Sequence, residues 1–321
     1  MVDTHRAVRI PELADLERAY AAVRIHLAPT PLIPTTANDG ALLKLECWQP
    51  TGSFKVRGAF AAISALPHPA RAAGVVTAST GNHALAIAHA AARLNLTATV
   101  VVPATASPAK IDALQRLGAR LIQQGDGFDA AEAYALELAV GGATYISAYN
   151  DTHVIAGQAS LGFELGAQLD APATVIVPVG GGGLIAGLTL WAAGRDDVRV
   201  VGVEAEASRA VSAAMAAGHT VGVGVGPTLA DALAGNLEPG SVTPAVLVAH
   251  ATTVLAVSEA EIRNALRFLA REHGLAVEGA GAVAVAALLA GKLDVDDRRA
   301  IAVVTGRNIA LSTLATALGR S

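Results

Sequence analysis

The chain has 321 residues and a formal net charge of -4 at pH 7, and 53% of its residues are hydrophobic but only 3% are aromatic. A chain of this length can form two lobes around a well-buried core, which here must consist mainly of Ala, Val, Leu and Ile. The negative charge, without a clustered Lys/Arg stripe in the sequence, argues against a nucleic-acid partner. Cys47 is the single cysteine, so no intrachain disulfide can form, and we expect a buried structural thiol.

The sequence shows no export or membrane signal. Residues 1–6 contain no basic region that leads into an apolar stretch, which is what a secretory signal requires. The longest weakly polar run, residues 279–291, is too short and too rich in Gly and Ala to span a bilayer. We therefore expect a soluble, cytoplasmic protein that does not bind membranes.

The first part of the chain predicts a helix, an extended segment, a strand and a second helix. Apolar spacing indicates a helix over residues 11–28, and the proline-rich segment 29–32 must be extended. The apolar alternation over residues 42–45 indicates a strand. Ser53 is predicted to be the N-cap of a helix that reaches about residue 66.

From residue 74 onward, short apolar strands alternate with helices, which is typical of parallel sheets with right-handed crossovers. The pattern predicts an α/β fold with two parallel-type lobes. A small domain of residues 73–146 is predicted to be inserted into a large domain of residues 1–72 and 147–321. The predicted strands cover residues 75–77, 98–102, 120–122, 174–179, 198–204, 253–257 and 300–304. The predicted helices cover residues 82–94, 110–117, 128–140, 154–169, 184–193, 207–217, 259–273 and 278–289.

The stretch Thr51-Gly52-Ser53-Phe54-Lys55-Val56-Arg57-Gly58-Ala59 places one lysine in the first turn of a predicted helix, beside an aromatic ring. The positive helix N-terminus and the exclusion of water by Phe54 both lower the pKa of the Lys55 amine and favour Schiff-base chemistry. Only four of the 23 Lys and Arg residues are lysines, so lysine is not the default surface cation of this chain. An ordinary surface lysine is the alternative interpretation.

Four consecutive glycines, Gly180, Gly181, Gly182 and Gly183, join a predicted strand to a predicted helix. Each glycine costs backbone entropy, so we expect packing alone not to explain the run, and bare N–H groups before a helix form a phosphate cradle. With Ala186 and Glu204, the glycines also fit a dinucleotide-binding fingerprint, although that interpretation leaves Lys55 unexplained. A lysine and a separate phosphate cradle instead suggest pyridoxal phosphate.

Two further polar segments follow predicted strands. Residues 79–83, Ser79-Thr80-Gly81-Asn82-His83, precede a helix, and their N–H groups and hydroxyls can bind a substrate carboxylate or merely cap that helix. Because no second histidine lies at metal-ligand spacing, we interpret His83 as a hydrogen-bonding or packing residue. Thr305 closes the last strand and offers a neutral hydroxyl, which can face a pyridine nitrogen or cap the following turn.

Together these motifs resemble the pyridoxal-phosphate enzymes of fold type II, in particular the serine/threonine dehydratase and serine racemase family. The resemblance implies that Lys55 is the catalytic Schiff-base lysine, that Phe54 packs beside the cofactor, and that Asn82 binds the cofactor's 3-hydroxyl group. It assigns the phosphate to Gly180–Gly183, the ring nitrogen to Thr305 and the substrate carboxylate to the segment of Ser79, Thr80, Gly81, Asn82 and His83. It also implies a homodimer or homotetramer.

Three positions depart from the family pattern. Arg307 replaces a glycine of the final motif Thr305-Gly306-Arg307-Asn308, and we expect it to alter the entrance or the substrate pocket. Thr80 stands where the racemase branch has a catalytic serine, so a hydroxyl is present for protonation of the opposite substrate face. Ala210 stands where that branch has the second acid beside Glu204, so we predict no metal site.

The sequence therefore predicts a pyridoxal-phosphate-dependent dehydratase, an ammonia-lyase that converts L-threonine, L-serine or a related small β-hydroxy amino acid to a 2-oxo acid and ammonia. A serine racemase with the same cofactor is the first alternative. A nicotinamide-dependent oxidoreductase and a non-catalytic binding protein are two others. The pyridoxal-phosphate interpretations give each of the four motifs a distinct role, whereas the nicotinamide interpretation leaves Lys55 and the other motifs unexplained.

Overall fold

The computed structural model describes residues 7–106, 108–295 and 297–319. Residues 1–6, for which no secretory signal is predicted, lie outside the described part. The helices are α1 (Leu13–Val23), α2 (Lys55–Ser64), α3 (His68–Ala73), α4 (Asn82–Arg93), α5 (Pro108–Arg116), α6 (Phe128–Val140), α7 (Thr152–Gln158), α8 (Ser160–Gln168), α9 (Gly183–Ala192), α10 (Ala210–Ala217), α11 (Thr243–Ala249), α12 (Glu259–His273), α13 (Gly279–Leu289) and α14 (Leu311–Leu318).

Ten strands form two sheets within the described residues. The strands are β1 (Leu32–Pro34), β2 (Leu42–Lys44), β3 (Val75–Ala78), β4 (Ala98–Val102), β5 (Arg120–Gln123), β6 (Thr144–Tyr145), β7 (Ala173–Pro178), β8 (Val198–Ala205), β9 (Thr253–Val257) and β10 (Arg299–Val303). The larger sheet has the order β1-β2-β10-β7-β8-β9 and the smaller one the order β5-β4-β3-β6. Every pairing is parallel except β1 with β2 at one edge.

The smaller sheet is built from one continuous stretch of chain, whereas the larger sheet takes strands from both sides of that stretch. The predicted α/β fold class with parallel sheets is therefore confirmed. The domain limits at residues 73 and 146 stay a prediction. No helix among residues 7–106, 108–295 and 297–319 is long and apolar enough to cross a membrane.

Helix α2 packs against α4 and the smaller sheet through one hydrophobic cluster. Val56, Phe60 and Ile63 on α2 pack in one cluster with Ile87 of α4 and Val75 of β3. Residues 56–63 of α2 are all buried, so this helix is covered on every side. Because Lys55 is the first residue of α2, this packing fixes the position of its backbone.

Two sequence predictions about helices were wrong. Ser53 does not cap α2: it forms an isolated bridge with Gly306, and the helix begins two residues later behind Phe54, which makes no side-chain cap. The single helix predicted over residues 154–169 is two helices, α7 and α8, because the chain turns at Ala159, whose C=O accepts a tight hydrogen bond from Gly162 N–H. Tertiary pairing overrides the local signal in the first case.

A buried network of charged side chains anchors α2 to the end of β2 and to α8. Arg57 donates to both carboxylate oxygens of Glu46, at 2.6 and 2.8 Å, and to Glu164 at 2.7 Å. Lys44 donates to the other oxygen of Glu164 at 2.9 Å. Arg57, Lys44 and Glu46 are fully buried. Each charge therefore depends on its partners, because water cannot replace them.

We expect the Arg57→Met variant to lose about 3–5 kcal/mol of the free energy of unfolding, because Glu46 would stay buried without its main cation. Urea denaturation of the cofactor-free protein measures this change. Arg18→Ala is the matched control, since Arg18 pairs with Asp15 while its side chain is 70% exposed, and exposed pairs contribute less than about 1 kcal/mol. Equal stabilities of the two variants would contradict the role given to the buried network.

Candidate active site

One cavity of about 630 Å³ lies at the carboxyl ends of the parallel strands. Phe54 and Lys55 reach it from the start of α2, and Thr305 reaches it from the end of β10. Ligands bind at this end of open α/β sheets because several loops and helix N-termini converge there. The cavity includes all the predicted site residues: Phe54, Lys55, Ser79, Thr80, Gly81, Asn82, His83, Gly180, Gly181, Gly182, Gly183 and Thr305.

The Lys55 amine is enclosed in this cavity. Its Nζ donates a hydrogen bond to the backbone oxygen of Ala148 at 2.7 Å and lies 5.2 Å from the centroid of the Phe54 ring. Burial lowers the pKa of Lys55 to about 8, although the carboxyl groups of Glu238 and Glu278 oppose this change. A substantial neutral fraction near pH 8 is what a nucleophilic or basic amine requires.

The glycine run forms the part of the cavity that fits a phosphate. Gly180, Gly181 and Gly182 have backbone N–H groups that find no acceptor within the described part of the chain, and Gly183 opens helix α9. Gly182 is buried, and Gly180 and Gly181 are half-buried. Because N–H groups shielded from water are nearly always paired, these unpaired donors beside a helix N-terminus indicate an anion site. The cavity thus supplies the two fixed points, an amine and a phosphate cradle, that pyridoxal phosphate needs.

Packing also contributes to the glycine run, contrary to the sequence expectation. A Cβ atom on Gly181 would lie 2.4 Å from the ring of Tyr149, and one on Gly180 would lie 3.0 Å from the backbone of Leu233. Gly182 has φ +86, a left-handed conformation that glycine adopts without strain. The glycines therefore leave the backbone N–H groups of the loop accessible and also allow the Tyr149 ring to pack closely against it.

The segment of residues 79–83 places a helix N-terminus in the cavity. Gly81 is the N-cap position of α4, so the N–H groups of Asn82 and His83 lie in its first turn. The Nε2 atom of His83 lies 3.0 Å from the backbone oxygen of Ile146, and burial lowers the pKa of His83 to about 3. The imidazole is therefore neutral, and its single N–H group donates to the backbone oxygen of Ile146. Only the backbone N–H of His83 can donate a hydrogen bond to a substrate carboxylate.

Thr305 and Asn82 approach the cavity from different sides. The hydroxyl of Thr305 is buried and makes a long hydrogen bond of 3.4 Å to the backbone oxygen of Ala280. The side chain of Asn82 contacts Glu278 and Asn308. Sequence reasoning missed Glu278 as a cavity residue, although it directly precedes the glycine-containing start of α13.

Two residues singled out in the sequence, Arg307 and Glu204, lie outside the cavity lining. Arg307 does not line the cavity: its Nη1 donates to the backbone oxygen of Cys47 at 2.8 Å. Glu204 does not face the cavity as a ribose-binding acid would, because its carboxylate accepts hydrogen bonds from the N–H groups of Val211 and Ser212 at the start of α10. The nicotinamide interpretation thus loses the acid that it requires.

Comparison with known proteins agrees with this site. Residues 23–306 match the family described as pyridoxal-phosphate dependent enzyme. The chain is 38% identical to an L-threonine ammonia-lyase of Thermotoga maritima over 94% of this chain and 76% of that protein. Its structure is similar to that of maize serine racemase, with a TM-score of 0.89, 29% identity and 97% coverage of both chains. It is also similar to threonine deaminase isoform 2 of Solanum lycopersicum, with a TM-score of 0.87, 31% identity and coverage of 99% and 92%.

The fold and the cavity define an enzyme that uses a phosphorylated aldehyde cofactor. The chain belongs to the family of pyridoxal-phosphate dependent enzymes. The predictions of fold type II, of the cofactor and of a pyridoxal-phosphate-dependent lyase are confirmed. The roles of the individual site residues stay predictions.

We expect Gly181→Ala to lower the free energy of unfolding by about 1–3 kcal/mol, because the new Cβ overlaps the Tyr149 ring. The same displacement of Tyr149 or the loop should weaken the binding of pyridoxal phosphate. Urea denaturation and cofactor titration of the cofactor-free protein measure the two effects. Gly222→Ala is the matched control, since no heavy atom lies within 4 Å of a Cβ there. A Gly181→Ala variant that matches this control in both measurements would refute the packing of Tyr149 on the loop.

Proposed function

We propose that this chain is a pyridoxal-phosphate-dependent ammonia-lyase that converts a small β-hydroxy amino acid, L-threonine or L-serine, to the corresponding 2-oxo acid and ammonia. One observation carries the proposal: an enclosed amine, that of Lys55, shares a cavity with unpaired N–H groups of Gly180–Gly182. The activity named for the Thermotoga maritima relative supports the reaction class. Water leaves the substrate and is taken up again when ammonia is released, so the overall reaction needs no oxidant.

The residues of the cavity can hold the cofactor at several points. Lys55 would hold its aldehyde, Gly180–Gly183 its phosphate, Thr305 its ring nitrogen and Asn82 its ring oxygen, with Phe54 packed alongside. Bound pyridoxal phosphate acidifies the substrate Cα–H bond by accepting electron density. Thr305 brings a neutral hydroxyl rather than a carboxylate, and such a partner does not favour a protonated ring nitrogen. Thr305 would in this way favour loss of the β-hydroxyl group over accumulation of negative charge at Cα.

Lys55 carries the proton transfer in this proposal. With substrate in the cavity, the neutral amine of Lys55 would accept the proton from the substrate Cα. A general base at this position typically contributes a factor of about 10²–10⁴ to the rate. Burial, which lowers the pKa of Lys55 to about 8, increases the neutral fraction near physiological pH and so supports this role.

The start of α4 would bind the substrate carboxylate. Ser79, Thr80 and Gly81 line the cavity directly before the first helical turn, and the N-terminus of α4 carries partial positive charge. The hydroxyl of Ser79 already accepts a hydrogen bond from the N–H of Gly81 at 3.1 Å. The hydroxyl of Thr80 has no such intramolecular partner among the described residues, so it is available to a ligand.

Serine racemisation is the second candidate, and Thr80 is the observation that favours it. Its hydroxyl lines the same cavity as Lys55, so the cavity contains two groups that could each exchange a proton with the substrate Cα. Racemisation requires protonation of Cα from the face opposite the base. The ammonia-lyase proposal also includes a location in the cytoplasm, which the sequence predicts, and assembly as a homodimer or homotetramer, which the family resemblance implies.

We expect Lys55→Ala to lose the visible absorption of the bound cofactor and to lower turnover of L-threonine and L-serine by at least about 10²-fold, because the base is removed. Absorption spectra and a 2-oxo acid assay measure both effects. Lys292→Ala is the control, since Lys292 pairs with Glu261 at 2.8 Å away from the cavity. Near-normal deamination by Lys55→Ala would refute the assignment.

We expect the wild-type protein to form pyruvate from L-serine faster than D-serine, and the Thr80→Ala variant to lose D-serine formation first. Thr80→Ser retains a hydroxyl and should keep it. Chiral chromatography of the reaction mixture, run beside the 2-oxo acid assay, separates the two products. D-serine as the main product would replace the ammonia-lyase proposal with the racemase.

A further inference from the structure

Glu278 is a buried acid in the cavity that neither the fold nor the catalytic role of Lys55 explains. It occupies the N-cap position of α13, yet its side chain makes no capping hydrogen bond. Glu278 is only 5% exposed, so its carboxylate needs a hydrogen-bond partner from the protein. A Cβ atom on Gly306 would lie 2.1 Å from Glu278 Oε1, so the glycine at this position makes room for the carboxylate.

A directional chain of hydrogen bonds leads from a backbone carbonyl to this carboxylate. Asn308 Nδ2 donates to the backbone oxygen of Thr51 at 2.8 Å and to Asn82 Oδ1 at 2.6 Å. Asn82 Nδ2 donates to Glu278 Oε1 at 2.6 Å. Because a carbonyl oxygen can only accept, Thr51 fixes the orientation of the Asn308 amide, and Asn308 in turn fixes that of Asn82.

This chain decides what Asn82 can offer to a ligand. Its Oδ1 atom is occupied by Asn308, and one of its two Nδ2 hydrogens is occupied by Glu278. The second Nδ2 hydrogen has no partner among the residues that the structure describes. Asn82 is therefore a donor toward the cavity, and the ligand atom that meets it must be an acceptor.

We infer that Glu278 is a positioning residue that acts with Asn308 to hold the Asn82 amide as a donor to an anionic oxygen of the bound cofactor. The inference rests on the proposed function and deepens it, since it adds the residue that sets the polarity of one cofactor contact. An ionised acceptor strengthens and aligns the hydrogen bond from Asn82 more than a neutral acceptor would. Removal of Asn308 or Glu278 leaves one end of the amide unrestrained.

The charges around Glu278 make the arrangement sensitive to pH. Lys55 at the start of α2 favours the ionised form, whereas Asp231 opposes it. Burial dominates and raises the pKa of Glu278 to about 7. The carboxylate is thus ionised above neutral pH and protonates below it, where one of its oxygens changes from an acceptor to a donor. The hydrogen bond from Asn82 Nδ2 to the Glu278 carboxylate should therefore weaken as the pH falls through about 7.

Titration of the cofactor-free protein with pyridoxal phosphate tests this inference in three variants. Glu278→Ala removes the acceptor and should weaken cofactor binding by on the order of tenfold or more, with a shift of the visible absorption band. Glu278→Gln keeps a neutral acceptor and should weaken binding by only about fivefold. In Glu278→Gln the component of the wild-type pH dependence near pH 7 should disappear. Lys292→Ala is the control for affinity and spectrum.

A double variant separates positioning from simple stability. Asn82→Asp places a second carboxylate beside Glu278, so the thermal midpoint of the cofactor-free protein should fall. Adding Glu278→Gln supplies a donor to Asp at position 82 and should restore that midpoint. Cofactor affinity should stay low in the double variant, because no donor faces the ligand. Recovery of both quantities together would overturn the inference.

The results also separate this inference from the proposed function. Cofactor affinity, spectrum and pH dependence equal to wild type in both Glu278 variants would overturn the positioning role, even if Lys55→Ala abolishes deamination. Deamination that survives in Lys55→Ala would instead overturn the proposed function. A lower thermal midpoint alone, without a change of affinity or spectrum, would reduce Glu278 to a structural residue.

Discussion

The structure depends on holding one amine, that of Lys55, away from water in a cavity where a backbone oxygen is its hydrogen-bond partner. A fully paired lysine would keep its proton, whereas burial without an adjacent ion pair favours the neutral form. The glycine run, the start of α4 and the end of β10 surround this amine with donors and a hydroxyl. The site thus combines a neutral base with fixed anion cradles, which is the combination that pyridoxal-phosphate chemistry needs.

Two kinds of contact keep Lys55 in place. On one side, the charged network of Arg57, Glu46, Glu164 and Lys44 holds α2 against the larger sheet. On the other side, the Phe54 N–H donates to the backbone oxygen of Thr305 at 3.1 Å, which ties the start of α2 to the end of β10. The lysine and the hydroxyl assigned to the ring nitrogen are therefore linked through adjacent backbone, and a shift of one moves the other.

The sequence predicted the parts of the site that follow from local patterns. Glycines between a strand and a helix, and polar residues just after β3, mark the carboxyl ends of strands, where topology brings them together. Glu278 could not be found in this way, because its role depends on Asn82, 196 residues away in the chain. Ser53 had the residue type of an N-cap, yet its bridge to Gly306 displaced the helix start. Tyr149 and Arg307 likewise depend on contacts that no local pattern reports.

The central claim is that the Lys55 amine is substantially neutral near physiological pH. The rate at which this amine reacts with a small amine-specific reagent, followed at Lys55 by mass spectrometry across pH in the cofactor-free protein, tests that claim most directly. Because only the neutral amine reacts, the account predicts a midpoint near pH 8. A midpoint near about 10.4, the value of an ordinary exposed lysine, would contradict it.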